Sequence, residues 1–164
     1  MGEPIISVSG LRGVVGESLT PEVAIRYAAA FAAVASPGAI LIGRDSRPSG
    51  HMLAEAIHAG LRAVGRTTVD VGIVPTPTLG VLVRHMGAAG AIQITASHNP
   101  APYNGLKLFS DQGRVIPTGP GEEVLYRYRR AEPAWAAYDQ LGLREALRSE
   151  EHTSELQSPL NISY

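Results

Sequence analysis

Apolar residues in this chain fall into short bursts separated by turn-forming clusters, and the bursts alternate between strand-like and helix-like patterns. Residues 39–42 and 91–95 are apolar runs bounded by Gly, Ser or Pro, as expected of strands buried on both faces. Stretches 4–8 and 67–71 read as further strands. Between them lie helical stretches. Thr20-Pro21-Glu22 marks a helix start, with Thr as N-cap, Pro at the first helical position and Glu near the positive end. That helix is predicted to run to about residue 35, where Ser36-Pro37-Gly38 stops it. Ser49 is expected to cap a second helix reaching about residue 64, and a third spans 78–85. Residues 106–109 and 114–116, joined by Asp111-Gln112-Gly113, read as a hairpin, followed by a helix over 121–130. Such alternation implies βαβ units and a mainly parallel sheet. No internal repeat breaks the pattern.

Composition narrows the class without naming a function. The 164 residues are 45% hydrophobic and 18% charged with net charge −1, which suits one globular domain. There is no basic excess with interleaved aromatics, so nucleic acid is not an expected partner. Nor is a membrane, because no run reaches the ~18 apolar residues of a span. Without an N-terminal signal pattern the cytoplasm is the default location. There are no cysteines, so disulfides and thiol chemistry are excluded while the redox compartment stays open.

Candidate chemistry gathers on one loop. Thirteen of the fourteen basic side chains are arginine and the remaining one is Lys107. Arginine stays protonated in proteins, whereas lysine can lose its proton when desolvated, so Lys107 is a candidate proton carrier. An ordinary strand-end lysine is the alternative. Ten residues earlier, Ser97 follows the 91–95 strand at the edge where open α/β sheets bind ligands. Asn99-Pro100, Pro102 and Asn104-Gly105 stiffen the loop between them. Other features carry less. Gly10, Gly13 and Gly16 do not form a dinucleotide fingerprint, and no P-loop is present. His51 and Glu55, like His58 and His85, read as helix-face residues, and Ser97 is not in a GxSxG elbow.

The run Thr95-Ala96-Ser97-His98-Asn99-Pro100, followed by Asn104-Gly105-Leu106-Lys107, resembles the phosphoserine loop of the α-D-phosphohexomutases. These include phosphoglucomutase, phosphomannomutase and phosphoglucosamine mutase. Three further segments agree in order. Ser9-Gly10-Leu11-Arg12-Gly13-Val14-Val15-Gly16 resembles that family's N-terminal arginine-glycine loop, and Gly43-Arg44-Asp45-Ser46-Arg47-Pro48-Ser49-Gly50 its second loop. Pro75-Thr76-Pro77-Thr78 resembles the turn before the helix that precedes the serine strand. The resemblance implies a three-layer α/β/α fold with a mainly parallel mixed sheet, the first domain of such an enzyme. It implies that Ser97 carries a phosphoryl group, that Arg12 stabilises its charge, and that Lys107 and His98 manage the proton. The substrate would be a hexose or hexosamine phosphate. Mg²⁺ would be held through the Ser97 phosphate, with its other ligands on an Asp-rich loop of a second domain.

That loop is missing from the chain, whose four aspartates, Asp45, Asp70, Asp111 and Asp139, lie far apart. Domains II–IV of the same protein are therefore expected partners, and the isolated piece is expected to be inactive. Two other readings stay open: a phosphate-binding module without turnover, and a serine-nucleophile hydrolase. The domain is assigned to residues 1–147. Residues 148–164 contain no Ala, Gly or Val, and 148–158 read as an in-frame translation of a sequencing adapter. They are left out of the fold expectation.

Overall fold

The computed structural model describes residues 2–130 and 132–147. The unusual 148–164 stretch lies outside the described residues. Eleven elements follow in order: β1 (Ile5–Ser7), β2 (Gly10–Val14), α1 (Pro21–Ala32), β3 (Ile40–Arg44), α2 (Ser49–Ala63) and β4 (Thr68–Ile73). Then come α3 (Thr76–His85), β5 (Gly90–Ile94), β6 (Tyr103–Ser110), α4 (Thr118–Arg130) and β7 (Arg144–Ala146). The strands form one mixed sheet in the order β1-β2-β6-β5-β3-β4-β7. Strands β5, β3, β4 and β7 run parallel, while β1, β2 and β6 extend the sheet through antiparallel pairs.

Alternation along the strands sorts the core into two halves, because successive side chains leave opposite faces. Ile40, Ile42, Ile92, Ile94, Leu106 and Leu108 pack with α1, α2 and α4. Leu41, Val69, Ala91 and Phe109 pack with Leu79 and Val83 of α3. Helices therefore cover both faces, giving the α/β/α fold expected from the sequence.

The start of α1 is as predicted: Thr20 is extended (φ −110°, ψ 165°) and its Oγ1 accepts from the Val23 amide at 3.3 Å. Other boundaries differ, among them the end of α1 at Ala32 rather than about residue 35 and the start of α4 at Thr118 rather than about 121. Ser49 does not cap α2; the cap position is Pro48, and the Ser49 hydroxyl instead accepts from Nδ2 of buried Asn104 at 2.9 Å. Helix α3 begins at Thr76, with Pro77 accommodated in its first turn where no amide hydrogen is required. The second arm of the 106–116 hairpin is reduced to a single bridge between Phe109 and Val115. Strands β2 and β7 are additional to the expectation. In β2 only Leu11 and Gly13 are buried, so its apolar signal is too thin to announce a strand.

His58, expected on a helix face, is turned into the interior. It is 1% exposed, its Nδ1 lies 2.8 Å from Thr68 Oγ1 and its Nε2 lies 3.6 Å from Asp70 Oδ2. Arg144 of β7 bridges Asp70 (2.8 Å) and Glu55 (3.0 Å) beside it. Burial, then the Arg144 charge, push the imidazole down from 6.5 to about 4, against opposing pulls from Asp70 and Glu55. As pH falls below 6.5 the unfolded chain takes up a proton that the folded chain refuses until about 4. Stability should therefore decline across that window on acidification. Urea titrations at stepped pH should show a flatter decline in His58→Gln, and an identical slope in the variant would remove His58 as its source.

Candidate functional site

Strands β3 and β5 are parallel neighbours, so the loops leaving their C-terminal ends emerge side by side. One carries Asp45 and Arg47, the other Ser97. Ser97 is exposed and has φ 54°, the one non-glycine residue with positive φ among those described. That backbone state costs on the order of 1–3 kcal/mol unless its surroundings enforce it. Here they do. The Ser97 amide donates to Thr95 Oγ1 at 3.0 Å, and the Thr95 hydroxyl donates to Asp45 Oδ2 at 2.8 Å. Arg47 reaches across fifty residues of sequence to Ser97 O at 3.1 Å and Asn99 O at 2.7 Å. It also donates to Pro100 O and Tyr103 O, each at 3.0 Å. Within the loop, Asn99 Nδ2 closes onto Ala96 O at 2.7 Å.

Beside this loop lies an open cleft of about 300 Å³. Its floor is a strip of sheet. Ile5 and Ser7 of β1, Gly10 and Arg12 of β2, and Lys107 of β6 stand on one face by register. Helix α3 packs over β3 and β5, leaving that strip bare. Gly10 stands opposite Lys107 and Gly105 opposite Arg12. The two cations are thus diagonal neighbours, a relation that places residues roughly 7–8 Å apart on an antiparallel pair. Neither has an ion-pair partner among the described residues. The opposing glycines are enforced by close approach. A Cβ on Gly105 would lie 2.6 Å from the Leu11 carbonyl and 2.9 Å from that of Thr95, and one on Gly10 would strike the Leu106 carbonyl.

Three of the four sequence candidates, Ser97, Lys107 and Arg12, line this one cleft. Lys107 is half-buried in β6 and Arg12 is exposed. Arg12 sits in strand β2, where the resemblance implied a loop. His98 is exposed with its Nδ1 3.4 Å from Ser97 Oγ, but it does not line the cleft. No carboxylate contacts His98 among the described residues, so the nucleophile–base–acid chain of a serine hydrolase is not assembled. As for a metal, no group of three His, Asp or Glu side chains able to hold one occurs among the described residues. No carboxylate lines the cleft, and both Asp45 oxygens are engaged by Arg47 and Thr95. The residues present do not by themselves fit Mg²⁺.

Asp45, Arg47 and Thr95 were given no individual role by sequence reasoning. They stood inside the quoted loop motifs, but nothing in their spacing shows that Arg47 meets backbone carbonyls of another loop.

Comparison with known proteins agrees with this architecture. Residues 4–134 match the family described as phosphoglucomutase/phosphomannomutase, alpha/beta/alpha domain I. A phosphoglucosamine mutase of Alkaliphilus metalliredigens is 40% identical over 124 residues, covering 73% of this chain and 28% of the relative. A phosphoglucosamine mutase of Rubrobacter xylanophilus is 39% identical over 145 residues, covering 88% and 32%. The crystal structure of a phosphoglucomutase/phosphomannomutase family protein from Burkholderia thailandensis superposes with a TM-score of 0.73 at 30% identity, covering 91% of this chain and 35% of that one. The chain thus spans about a third of the length of these proteins. With the fold, the loop order and the match over residues 4–134 in agreement, the chain belongs to the α-D-phosphohexomutase family through its α/β/α domain I.

Proposed function

We propose that this chain is the phosphoryl-carrying first domain of a mutase that moves a phosphoryl group between the 1- and 6-positions of a hexose or hexosamine phosphate. The observation that carries the reading is Ser97, an exposed hydroxyl on a strained, clamped loop beside a cleft with two unpaired cations. A phosphoryl group in flight spreads charge over its equatorial oxygens, and the protein's task is positioning and cationic stabilisation. Arg12 suits that role. When the P–Oγ bond of phosphoserine breaks, the new P–O bond forms to a sugar hydroxyl whose proton must leave, and Ser97 must regain one. Lys107 and His98 are the groups assigned to that exchange. The 3.4 Å separation of His98 from Ser97 Oγ is long, as acid–base contacts often are before substrate binds. That the relatives are phosphoglucosamine mutases favours a hexosamine phosphate over a plain hexose phosphate. A magnesium ion would be held here only through a phosphoryl group on Ser97, and its remaining ligands and the sugar contacts would belong to domains II–IV. No step assigned to this chain depends on the ion.

Three outcomes follow. In the complete enzyme, intact-mass analysis with peptide mapping should locate phosphate on Ser97, and Ser97→Ala should lose both the label and turnover. Full activity in the alanine variant ends the carrier role. The 164-residue chain alone should fold but fail to isomerise a hexose 1-phosphate, because no metal site occurs among its described residues and its cleft lies open to water. Sustained turnover by the purified chain contradicts that. Finally, Lys107→Arg in the complete enzyme keeps the cation but removes a group able to give up a proton near neutrality. It should lower kcat by roughly 10²-fold, the scale of a lost general acid–base, with little change in KM. A raised KM at unchanged kcat would make Lys107 an electrostatic anchor instead.

A further inference from the structure

We infer that Arg47 is the positioning residue of the serine loop and takes no part in holding phosphate; the inference rests on the reading of Ser97 as phosphoryl carrier. An arginine beside a phosphoserine invites assignment as a phosphate ligand, since a guanidinium fork matches phosphate oxygens well. The hydrogen bonds argue otherwise. A guanidinium has five N–H donors, and all five are already committed. Nη1 serves Pro100 O and Tyr103 O, Nη2 serves Ser97 O and Asn99 O, and Nε serves Asp45 Oδ2 at 3.3 Å. The side chain is 17% exposed and does not line the cleft that Ser97, Arg12 and Lys107 share.

To meet phosphate, Arg47 would have to release carbonyls that define the loop. The first released would include Ser97 O, whose hold helps keep Ser97 at φ 54°. Asp45 ties the same fork to the opposite side of Ser97, through Thr95 Oγ1 and the Ser97 amide. Carbonyl and amide of the reacting residue are thus fixed by one Asp45–Arg47 unit, and the Asp45 carboxylate offsets the guanidinium charge. Lysine cannot substitute. It offers three donors from a single point and cannot span four carbonyls in a plane.

Two measurements test this. On the 164-residue chain, hydrogen exchange should report faster exchange of the Ser97, Asn99 and Tyr103 amides in Arg47→Lys and Arg47→Ala, with β3 and β5 unchanged. Added guanidinium ion should slow that exchange in Arg47→Ala alone. In the complete mutase, Arg47→Lys should lower kcat about 10²-fold, the scale of a small misplacement of reacting groups, with KM within about twofold of the parent. A KM rise at unchanged kcat would make Arg47 a phosphate ligand and overturn the inference. Unchanged kcat despite a loosened loop, or exchange that does not respond, overturns it equally. Failure of the underlying reading looks different: Ser97→Ala would keep full turnover, while the exchange result would still show whether Arg47 holds the loop.

Discussion

The site is organised by one fully committed guanidinium. Arg47 leaves the end of β3 and gathers four backbone carbonyls of the next loop, and this is possible because β3 and β5 are parallel neighbours. Parallel pairing brings both C-terminal loops to the same edge of the sheet, so a side chain from one can hold the backbone of the other. A loop that holds serine at positive φ has to be held from outside itself, because its own short turns cannot offset the strain. Burying a guanidinium this far is tolerated only when its hydrogen bonds are complete, and here they are.

A second constraint is the pair of glycines that face the cations. Gly10 and Gly105 are fixed by backbone approach between β2, β6 and the Thr95 carbonyl. Their lack of side chains leaves Lys107 and Arg12 unshielded across the β2–β6 pair, and the residues opposite them on the other side, Gln93 and Ile5, carry no charge. Strand packing and the electrostatic character of the cleft therefore depend on the same residues. The cations have no ion-pair partner among the described residues, whereas Arg47, which bonds the serine loop directly, is neutralised and occupied. The structure separates charge used for shape from charge left for a ligand.

Much of this was legible in the chain. The apolar runs at β3 and β5 are long and bounded by turn residues, and Thr20-Pro21 marked its helix start correctly. Ser97, Lys107 and Arg12 were picked from motif and residue type, and the register brings them to one cleft. What escaped had physical reasons. β2 carries glycine and arginine at three of its five positions because it lines a cleft, so its periodicity is weak. β7 is wholly exposed and is attached by Arg144 bridging Glu55 and Asp70 rather than by an apolar face. Ser49 has the composition of a cap but serves Asn104 instead, a partner fifty-five positions away. Arg47 is the sharpest case, because its acceptors are backbone carbonyls and these carry no sequence signal.

The shape of the cleft bears on how the proposed reaction would be shared. An exposed hydroxyl and two cations on a bare strip of sheet can attract and orient a phosphoryl group, but the strip does nothing to exclude water. Phosphoryl transfer between a serine and a sugar competes with hydrolysis, so the reacting groups must be enclosed during transfer. Among the described residues no carboxylate reaches the cleft to hold a metal, and its apolar lining is limited to Ile5, Leu11, Ala96 and Leu106. Under the proposed function, this domain would supply the carrier and the field, and enclosure would come from the two-thirds of its relatives' length that the chain does not span. That division explains why the loop is so rigidly pre-set. Under that reading, a surface completed by other parts of a protein would have to present Ser97 in one geometry before they close, and Arg47, which holds four carbonyls of the loop, would be the residue that does so.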